Sequence, residues 1–223
     1  MATFTRFDPK AIAFLKALKR NNDREWFRTR KDEYERLLRG PMLAMVERLA
    51  ADFRSFAPDL AATPKSVYRI YRDTRFSNDK TPLKTYVSAV FPHKKLAKGV
   101  GAGMYFEVGQ DWTWVGGGMY APETRQIQAE REHIAKNHKR LRKILSAPAF
   151  SKTIGKLEGA QLQRIPRGFD KEHPAADLLK YRQFLAGTEF PGGLATSAKF
   201  YPSVLRVFKT IAPLMAFLNE PLV

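Results

Sequence analysis

The residues whose types and spacing best suit chemistry lie in one segment, residues 65–84, which reads KSVYRIYRDTRFSNDKTPLK. This segment contains six lysine and arginine residues but only two acidic residues, Asp73 and Asp79. The Asp, Ser, Asn and Thr residues beyond position 72 favour turns, and a turn can gather cationic side chains around exposed backbone N–H groups. We therefore predict an anion-binding site here, formed by Arg69, Arg72, Arg75, Lys80 and Lys84.

Two other interpretations of this segment remain open. Asp73 and Asp79, together with Glu107, could supply acid/base or metal-ligand carboxylates to an enzyme that acts on a phosphorylated or other anionic substrate. The two aspartates could instead accept hydrogen bonds from neighbouring arginines, which would make the segment a structural network without a ligand. The sequence identifies no reaction, so it does not establish whether the protein is an enzyme.

The overall charge favours the interpretation of this segment as an anion-binding site. The chain has 39 Lys and Arg residues against 22 Asp and Glu residues, a net charge of +17. Such a field attracts nucleic acid or a phosphorylated small molecule, and the resulting binding weakens as salt rises. Trp112, Trp114 and Tyr68 are candidate stacking surfaces for bases. The alternative is a basic surface that serves solubility alone.

A second basic zone lies further along the chain. It is predicted to be either a solvated helix face or a surface that contacts a phosphate backbone. Its positive residues are Arg131, Lys136, Lys139, Arg140, Arg142 and Lys143, set against Glu130 and Glu132.

Other motifs do not point to a cofactor or a metal. The glycines at 99, 101 and 103 lead into a predicted strand, whereas a dinucleotide-binding loop opens a helix. The glycines at 116–118 favour a bulge or a tight turn, or alternatively a close approach of a ligand to the backbone. His133 and His138 are five residues apart, which does not match the i, i+4 spacing of a helical metal pair. We predict no metal site and no cofactor.

The elements that must position the segment begin with helices. Asp8 is predicted to cap the first helix, and Asn22, with Glu25 three residues later, to cap a second. The second helix is predicted to run to Gly40, and a third to begin at Pro41.

The middle of the chain changes to the period of strands. Residues 109–111 are predicted to form a hairpin turn between the last two strands. Alternation places Phe106 on one face of the sheet and Tyr105 and Glu107 on the other. The four predicted strands are Val67–Tyr71, Tyr86–Phe91, Met104–Val108 and Trp112–Val115.

Helical spacing returns after Pro122, with a break expected near Asn137. Residues 159–200 mix glycine, proline and short apolar runs, and they receive no assigned element. The last helix is predicted to follow residues 201–203 and to bend at Pro213.

These elements predict an α+β fold, with an antiparallel sheet packed against N-terminal and C-terminal helices in one domain over residues 1–223. No apolar run is long enough for a transmembrane helix, and the N-terminus lacks a signal-peptide pattern. We therefore expect a cytoplasmic protein that does not bind membranes. The oligomeric state stays open.

Ten segments spread over nearly the whole chain resemble the domain-of-unknown-function family 2461, which is mainly bacterial. One departure is Leu83, where the family tends to have an aromatic residue. The resemblance implies one shared domain, and it brings no activity, cofactor or substrate. The segments are Asn21–Asn22, Trp26–Phe27, Arg69–Ile70, Arg72–Ser77, Asp79–Lys80, Pro82, Lys84, Gly118–Pro122, Arg164–Gly168 and His173–Pro174.

Overall fold

The computed structural model describes residues 4–97 and 99–223 of the chain. Along the described chain, four α-helices precede the first three strands, three more separate the third strand from the fourth, and one follows the fourth. The α-helices are α1 (Pro9–Arg20), α2 (Arg24–Arg28), α3 (Lys31–Tyr34), α4 (Gly40–Phe56), α5 (Thr124–Leu145), α6 (Pro148–Thr153), α7 (Ala176–Leu179) and α8 (Phe200–Asn219). The strands are β1 (Val87–Phe91), β2 (Gly103–Val108), β3 (Trp112–Met119) and β4 (Phe184–Pro191).

The four strands form one antiparallel sheet in the order β1-β2-β3-β4. The predicted hairpin is confirmed, because the Gly109 amide donates to the Trp112 carbonyl at 2.9 Å. The predicted α+β fold and antiparallel sheet are likewise confirmed.

The predicted strand Val67–Tyr71 is wrong. A 3-10 turn, Pro64–Ser66, precedes it, and only isolated bridges follow, from Val67 to Ala89 and from Tyr71 to Leu83. The segment pairs with β1 at its start and with its own return, residues 82–84, at its end. Since Pro82 has no N–H to donate, this second pairing cannot grow into a regular ladder.

The strand β4 was not predicted, because it lies in the region of glycines and prolines that received no element. It includes Gly187 and ends at Pro191, and its second half is half-buried or exposed. Without a clear alternation of apolar and polar residues, no strand period was visible. The bulge or tight turn predicted at glycines 116–118 is also wrong, since these residues lie inside β3 and pair regularly with β2 and β4.

Helix boundaries differ from the prediction at the N-terminal helices and at α8, which begins at Phe200 and so includes residues 201–203. Asp23 rather than Asn22 caps α2, accepting from the Glu25 and Trp26 amides at 2.7 and 3.0 Å. Gly40 does not end a helix, because a π-helical turn, Glu35–Arg39, joins α3 to α4 without a break. Pro41, two residues after the end of this turn, lacks the N–H that an uninterrupted α-helix would use.

The cap at Asp8 and the break at Asn137 are confirmed. The Asp8 carboxylate accepts from the Lys10 amide at 2.7 Å. Asn137 has non-helical dihedral angles (φ −119°, ψ 20°) inside α5. Pro213 lies within α8, and the helix continues past it to Asn219.

The core lies between the inner face of the sheet, α8 and α4. Phe91 and Phe106 of the sheet are fully buried, and Phe91 lies 5.8 Å from Phe208 of α8 and 5.2 Å from Phe53 of α4, measured between ring centroids. Burial of each such ring contributes about 1.5–3 kcal/mol. These contacts hold the inner face of the sheet firmly against the helices. Among the described residues, no helix has the length and apolar character needed to cross a membrane.

Candidate functional site

Arg72 is held by an ion pair with Asp79. Its Nη1 donates to the Asp79 carboxylate and to the Thr81 hydroxyl, and the Arg72 side chain is only 25% exposed. Asp79 also accepts from the Thr81 amide at 2.9 Å. The Thr81 amide and, after it, the Arg72 guanidinium lower the pKa of Asp79 to about 2. Asp79 is therefore ionised at neutral pH, and its negative charge balances the positive charge of Arg72.

Arg75 forms a second ion pair, with Asp73. Its Nη2 and Nε donate to the two oxygens of Asp73 at 2.7 and 3.0 Å. The hydrogen bond from the Arg75 side chain is the main cause that lowers the pKa of Asp73 to about 2. For Arg72 and Arg75, the geometry thus supports the interpretation as a network of arginines and aspartates.

The other three predicted anion-binding residues have different surroundings. Lys80 donates to the Thr74 carbonyl at 3.0 Å. Arg69 is exposed, and within the described chain its side chain has no hydrogen bond or ion pair. Lys84 lies over the ring of Tyr68, with its Nζ 4.6 Å from the ring centroid.

Arg72 and Lys84 line a polar cavity of about 570 Å³, which we call the charged pocket. Arg69, Arg75 and Lys80 are not among its lining residues, so the structure brings together two of the five predicted cations. Lys19, from the last turn of α1, adds a third. The lining residues are Lys19, Asn22, Arg72, Asp73, Asp79, Thr81, Leu83, Lys84, Thr85 and Tyr86.

Asn22 fixes the charged pocket to the helical layer. Its side-chain amide donates to the Leu83 carbonyl at 2.8 Å and accepts from the Leu83 amide at 3.0 Å. Leu83 is buried, so these two bonds satisfy both of its backbone groups where water cannot. The end of α1, which carries Lys19, is thereby held next to the return of the 65–84 segment.

The outer face of the sheet carries a second concavity of about 600 Å³, which we call the aromatic groove. Tyr105, Glu107 and Trp114 point into it, because they alternate with the core-facing residues of β2 and β3. Tyr105 lies between Tyr68 and Trp114, with ring centroids 6.4 and 6.0 Å away. Tyr68 and Trp114, two of the three predicted stacking residues, therefore line one surface.

Two paired glycines make room for the Trp114 ring. Gly116 and Gly187 lie opposite each other on β3 and β4. A Cβ atom on Gly187 would lie 2.3 Å from Trp114 Cζ2, and one on Gly116 would lie 2.5 Å from Trp114 Cη2. The indole thus rests on bare backbone, which limits its motion.

Glu107 is the acid of the aromatic groove. The Tyr105 hydroxyl donates to its carboxylate. Burial raises the pKa of Glu107, while the Tyr105 hydrogen bond and the charge of Lys84 act against this rise. Of the three carboxylates considered as catalytic, Glu107 is the one whose pKa moves toward neutrality.

The charged pocket and the aromatic groove adjoin. Lys84 and Tyr86 line both. Burial raises the pKa of Tyr86, on which the charges of Glu107 and Arg72 act in opposite directions. Tyr86 also contacts Trp112, the third predicted stacking residue, at 5.9 Å between ring centroids.

Most of the second basic zone is solvated, but two of its residues are buried. Lys136, Lys139 and Lys143 are exposed. Arg140 pairs with Glu220, and Arg142 with Asp177. Arg131 and Glu130, in contrast, are buried, so the zone does not form one continuous basic surface.

The glycines before β2 contribute to the aromatic groove, whereas none of the four histidines of the described chain lines either the groove or the charged pocket. Gly99, Gly101 and Gly103 line the aromatic groove at the entry to β2 and do not open a helix. The rings of His138 and His173 pack edge to face, with their centroids 5.6 Å apart. No group of three or more His, Cys, Asp or Glu residues in the described part of the chain could hold a metal ion.

Sequence reasoning missed Lys19, Tyr86 and Tyr105. Alternation already places Tyr105 on the face of Glu107, two positions later on the strand, and this shared face is the signal that could have assigned Tyr105 to the site. No sequence signal links Lys19 to the 65–84 segment. That link depends on the long-range hydrogen bonds of Asn22.

The fold and the site define a basic α+β protein whose antiparallel sheet carries an aromatic groove beside a charged pocket. The chain belongs to the family described as conserved hypothetical protein (DUF2461), which matches residues 10–217. This match confirms the resemblance found in the sequence. A search of curated proteins finds no match to the chain.

Proposed function

We propose that this protein binds an anionic ligand that also carries a planar ring, such as a nucleotide or a single strand of nucleic acid. The anionic group would lie in the charged pocket beside Lys19, Arg72 and Lys84, and the ring in the aromatic groove. The observation that carries the proposal is the junction of the two concavities at Lys84 and Tyr86. One ligand can therefore reach a positively charged wall and an aromatic wall together.

The charged pocket suits a phosphate group by its excess of cations. Three cations and two acids line it, and both acids are already paired with arginines. Lys19 is exposed at the end of α1, and no hydrogen bond or ion pair of its side chain occurs within the described chain. The net charge of +17 adds a field that draws anions toward this wall.

The aromatic groove suits a base by its geometry. Stacking of a base on an aromatic side chain contributes about 1–3 kcal/mol. Trp114 is already held on Gly116 and Gly187, so little side-chain freedom is lost when a ring stacks on it. Phosphate contacts supply affinity without sequence preference, and stacking is also tolerant of sequence.

Binding of a fluorescein-labelled oligothymidylate at rising salt tests the proposal, with AMP and inorganic phosphate as competitors. Lys16 and Lys19 are both exposed on α1, but only Lys19 lines the charged pocket. We expect Lys19→Gln to weaken binding and to reduce the slope of log affinity against log salt by about 0.7. Lys16→Gln is the matched control and should leave that slope close to the wild-type value.

Each competitor identifies a part of the ligand. Competition by AMP but not by phosphate indicates that the aromatic groove takes part. If the oligonucleotide and AMP both fail to bind at low salt, or if the two lysine variants behave alike, the proposal is wrong.

A second candidate function is catalysis on such a ligand, and the position of Glu107 favours it. Groups with shifted pKa values in a concave site are frequent acids and bases. Asp73 and Asp79, whose pKa values are about 2, could hold charge but could not donate a proton at neutral pH. If the protein hydrolyses phosphate esters, Glu107→Gln should abolish turnover and retain binding. Equal turnover in the variant and the wild type would exclude this role.

A further inference from the structure

A third cavity, of about 510 Å³, lies at the start of α5, beside the chain that enters β4. Ala160 and Leu162 contribute to one wall, and residues 158–162 pair with residues 180–185 through backbone hydrogen bonds. The cavity shares Tyr120 and Ala121 with the aromatic groove, and it shares no residue with the charged pocket. The lining residues are Tyr120, Ala121, Pro122, Thr124, Ile127, Arg131, Ala160, Leu162, Arg182 and Gln183.

Arg131 is built into the wall of this cavity. It is 9% exposed, and its guanidinium donates from Nε to the Leu179 carbonyl at 3.0 Å and from Nη2 to the Tyr181 carbonyl at 3.3 Å. These carbonyls fix the plane of the guanidinium but do not neutralise its charge. Its Nη1 has no hydrogen-bond partner among the described residues.

Arg182 brings a second positive charge to the same cavity. Burial lowers the pKa of Arg131, and the charge of Arg182 lowers it further. Neither arginine forms an ion pair within residues 4–97 and 99–223, and no aspartate or glutamate of these ranges lines the cavity. Buried charges are normally paired, so the buried guanidinium of Arg131, with a second cation beside it and no acid in the described lining, leaves a place for an anion.

The rest of the wall holds a fixed shape. Gln183 uses both ends of its side chain there, since Nε2 donates to the Tyr120 carbonyl at 2.6 Å and Oε1 accepts from the Ala160 amide at 3.2 Å. Ile127 and Leu162 add apolar surface. This mixture suits a small molecule whose anionic group meets the arginines and whose carbon skeleton lies on the apolar wall.

We propose that Arg131 and Arg182 bind an oxyanion, the phosphate or carboxylate group of a small molecule, at a site separate from the charged pocket. The guanidinium of Arg131 is pre-oriented by the two carbonyls, and Arg182 closes on the anion from the exposed side. Because the guanidinium is planar and carries several donors, each arginine can hold two oxygens of the ligand.

Amide chemical shifts measured during titration with inorganic phosphate, and separately with acetate, test this site. We expect saturable shifts at Ala160, Leu162 and Gln183. A response to phosphate alone, to acetate alone or to both assigns the oxyanion. Saturation without these amides, or no saturation with either anion, contradicts the proposal.

Arg182→Gln is the main variant, because Arg182 is exposed and its loss leaves the core intact. We expect it to lower the affinity for the anion roughly tenfold, which is the effect of losing one hydrogen bond to a charged group. Arg54→Gln, which removes an exposed arginine of α4 that does not line the cavity, is the control and should not change the affinity. Unchanged affinity in Arg182→Gln would overturn the proposal.

Two more variants make the outcome unambiguous. Arg131→Lys keeps the charge but loses the planar guanidinium with its paired donors. Once circular dichroism shows that this variant folds, we expect it to bind the anion more weakly than the wild type. Lys19→Gln should leave the shifts at Ala160 and Gln183 unchanged. Failure of the charged pocket and failure of this cavity are therefore told apart.

Discussion

The two faces of the sheet are both aromatic, but they differ in what their rings can do. The inner face buries Phe91 and Phe106, which have no polar atoms, against helices. The outer face presents Tyr105, Glu107 and Trp114, which are only partly buried and carry hydroxyl, carboxyl and indole N–H groups. Because neighbours on a strand point to opposite faces, β2 and β3 stabilise the fold on one side and offer a binding surface on the other.

The largest test of this contrast is Phe106→Ala on the inner face. Removal of a fully buried ring should lower the free energy of unfolding by about 3–5 kcal/mol, which urea denaturation measures. Tyr105→Ala, one residue earlier on the outer face, should cost less stability and more ligand affinity. Equal losses of stability in the two variants would contradict the division between the faces.

Two glutamates, Glu107 and Glu130, show a similar difference between a residue at the binding surface and a residue in the protein interior. Glu107 is part of the aromatic groove, whereas Glu130 on α5 is fully buried, and neither of its oxygens has a hydrogen-bond partner within the described chain. Burial raises the pKa of Glu130 from 4.5 to about 9. At neutral pH the folded state therefore keeps a proton that the unfolded state has released. Stability falls as pH rises between these two values.

We expect the free energy of unfolding to drop by about 2–3 kcal/mol between pH 6 and pH 8 as a result of this one group. Glu130→Gln should remove most of that dependence. Glu132→Gln, an exposed change on the same helix, should retain it. Urea denaturation at several pH values measures all three proteins, and an unchanged slope in Glu130→Gln would show that Glu130 does not hold the proton.

The paired glycines Gly116 and Gly187, on which the Trp114 ring rests, give a third test, on the outer face of the sheet. Gly187→Ala places a Cβ 2.3 Å from Trp114 Cζ2, so the indole must move. The affinity for oligothymidylate should fall by about 1–3 kcal/mol, the contribution of one stacked base. Gly193→Ala is the matched control, because its Cβ would meet nothing within 4 Å. Wild-type affinity in Gly187→Ala would remove Trp114 from the ligand site.

The smallest effect is expected at the surface ion pair of Arg75 and Asp73. Both side chains are largely exposed, at 76% and 45%, so solvent and salt screen their attraction. Arg75→Gln should leave the melting temperature unchanged within error, and it should alter ligand binding less than Lys19→Gln does. A clear loss of stability would mean that this pair holds the segment in place.

The parts of the fold that depend on local pattern were predictable. The β2–β3 hairpin follows from alternation around residues 109–111, and the break at Asn137 from the loss of helical spacing. The parts that depend on long-range contacts were not. β4 has a weak pattern of its own, and its position is set by pairing with β3.

The candidate site shows the same limit. A count of charges finds the 65–84 segment but cannot tell which cations are paired. Asp79 pairs with Arg72, seven residues away, because the turn between them closes. Arg131 reads as a surface cation in the sequence, yet α7 and the chain after it cover the residue and supply carbonyls to its guanidinium.

Trp114 offers the most direct measurement of the ligand site on the outer face. Tryptophan fluorescence is recorded during titration with oligothymidylate at low salt, for the wild type and for Trp114→Phe. We expect saturable quenching in the wild type that weakens as salt rises and is largely lost in the variant. Quenching of equal size in both proteins, or none in the wild type, would contradict it.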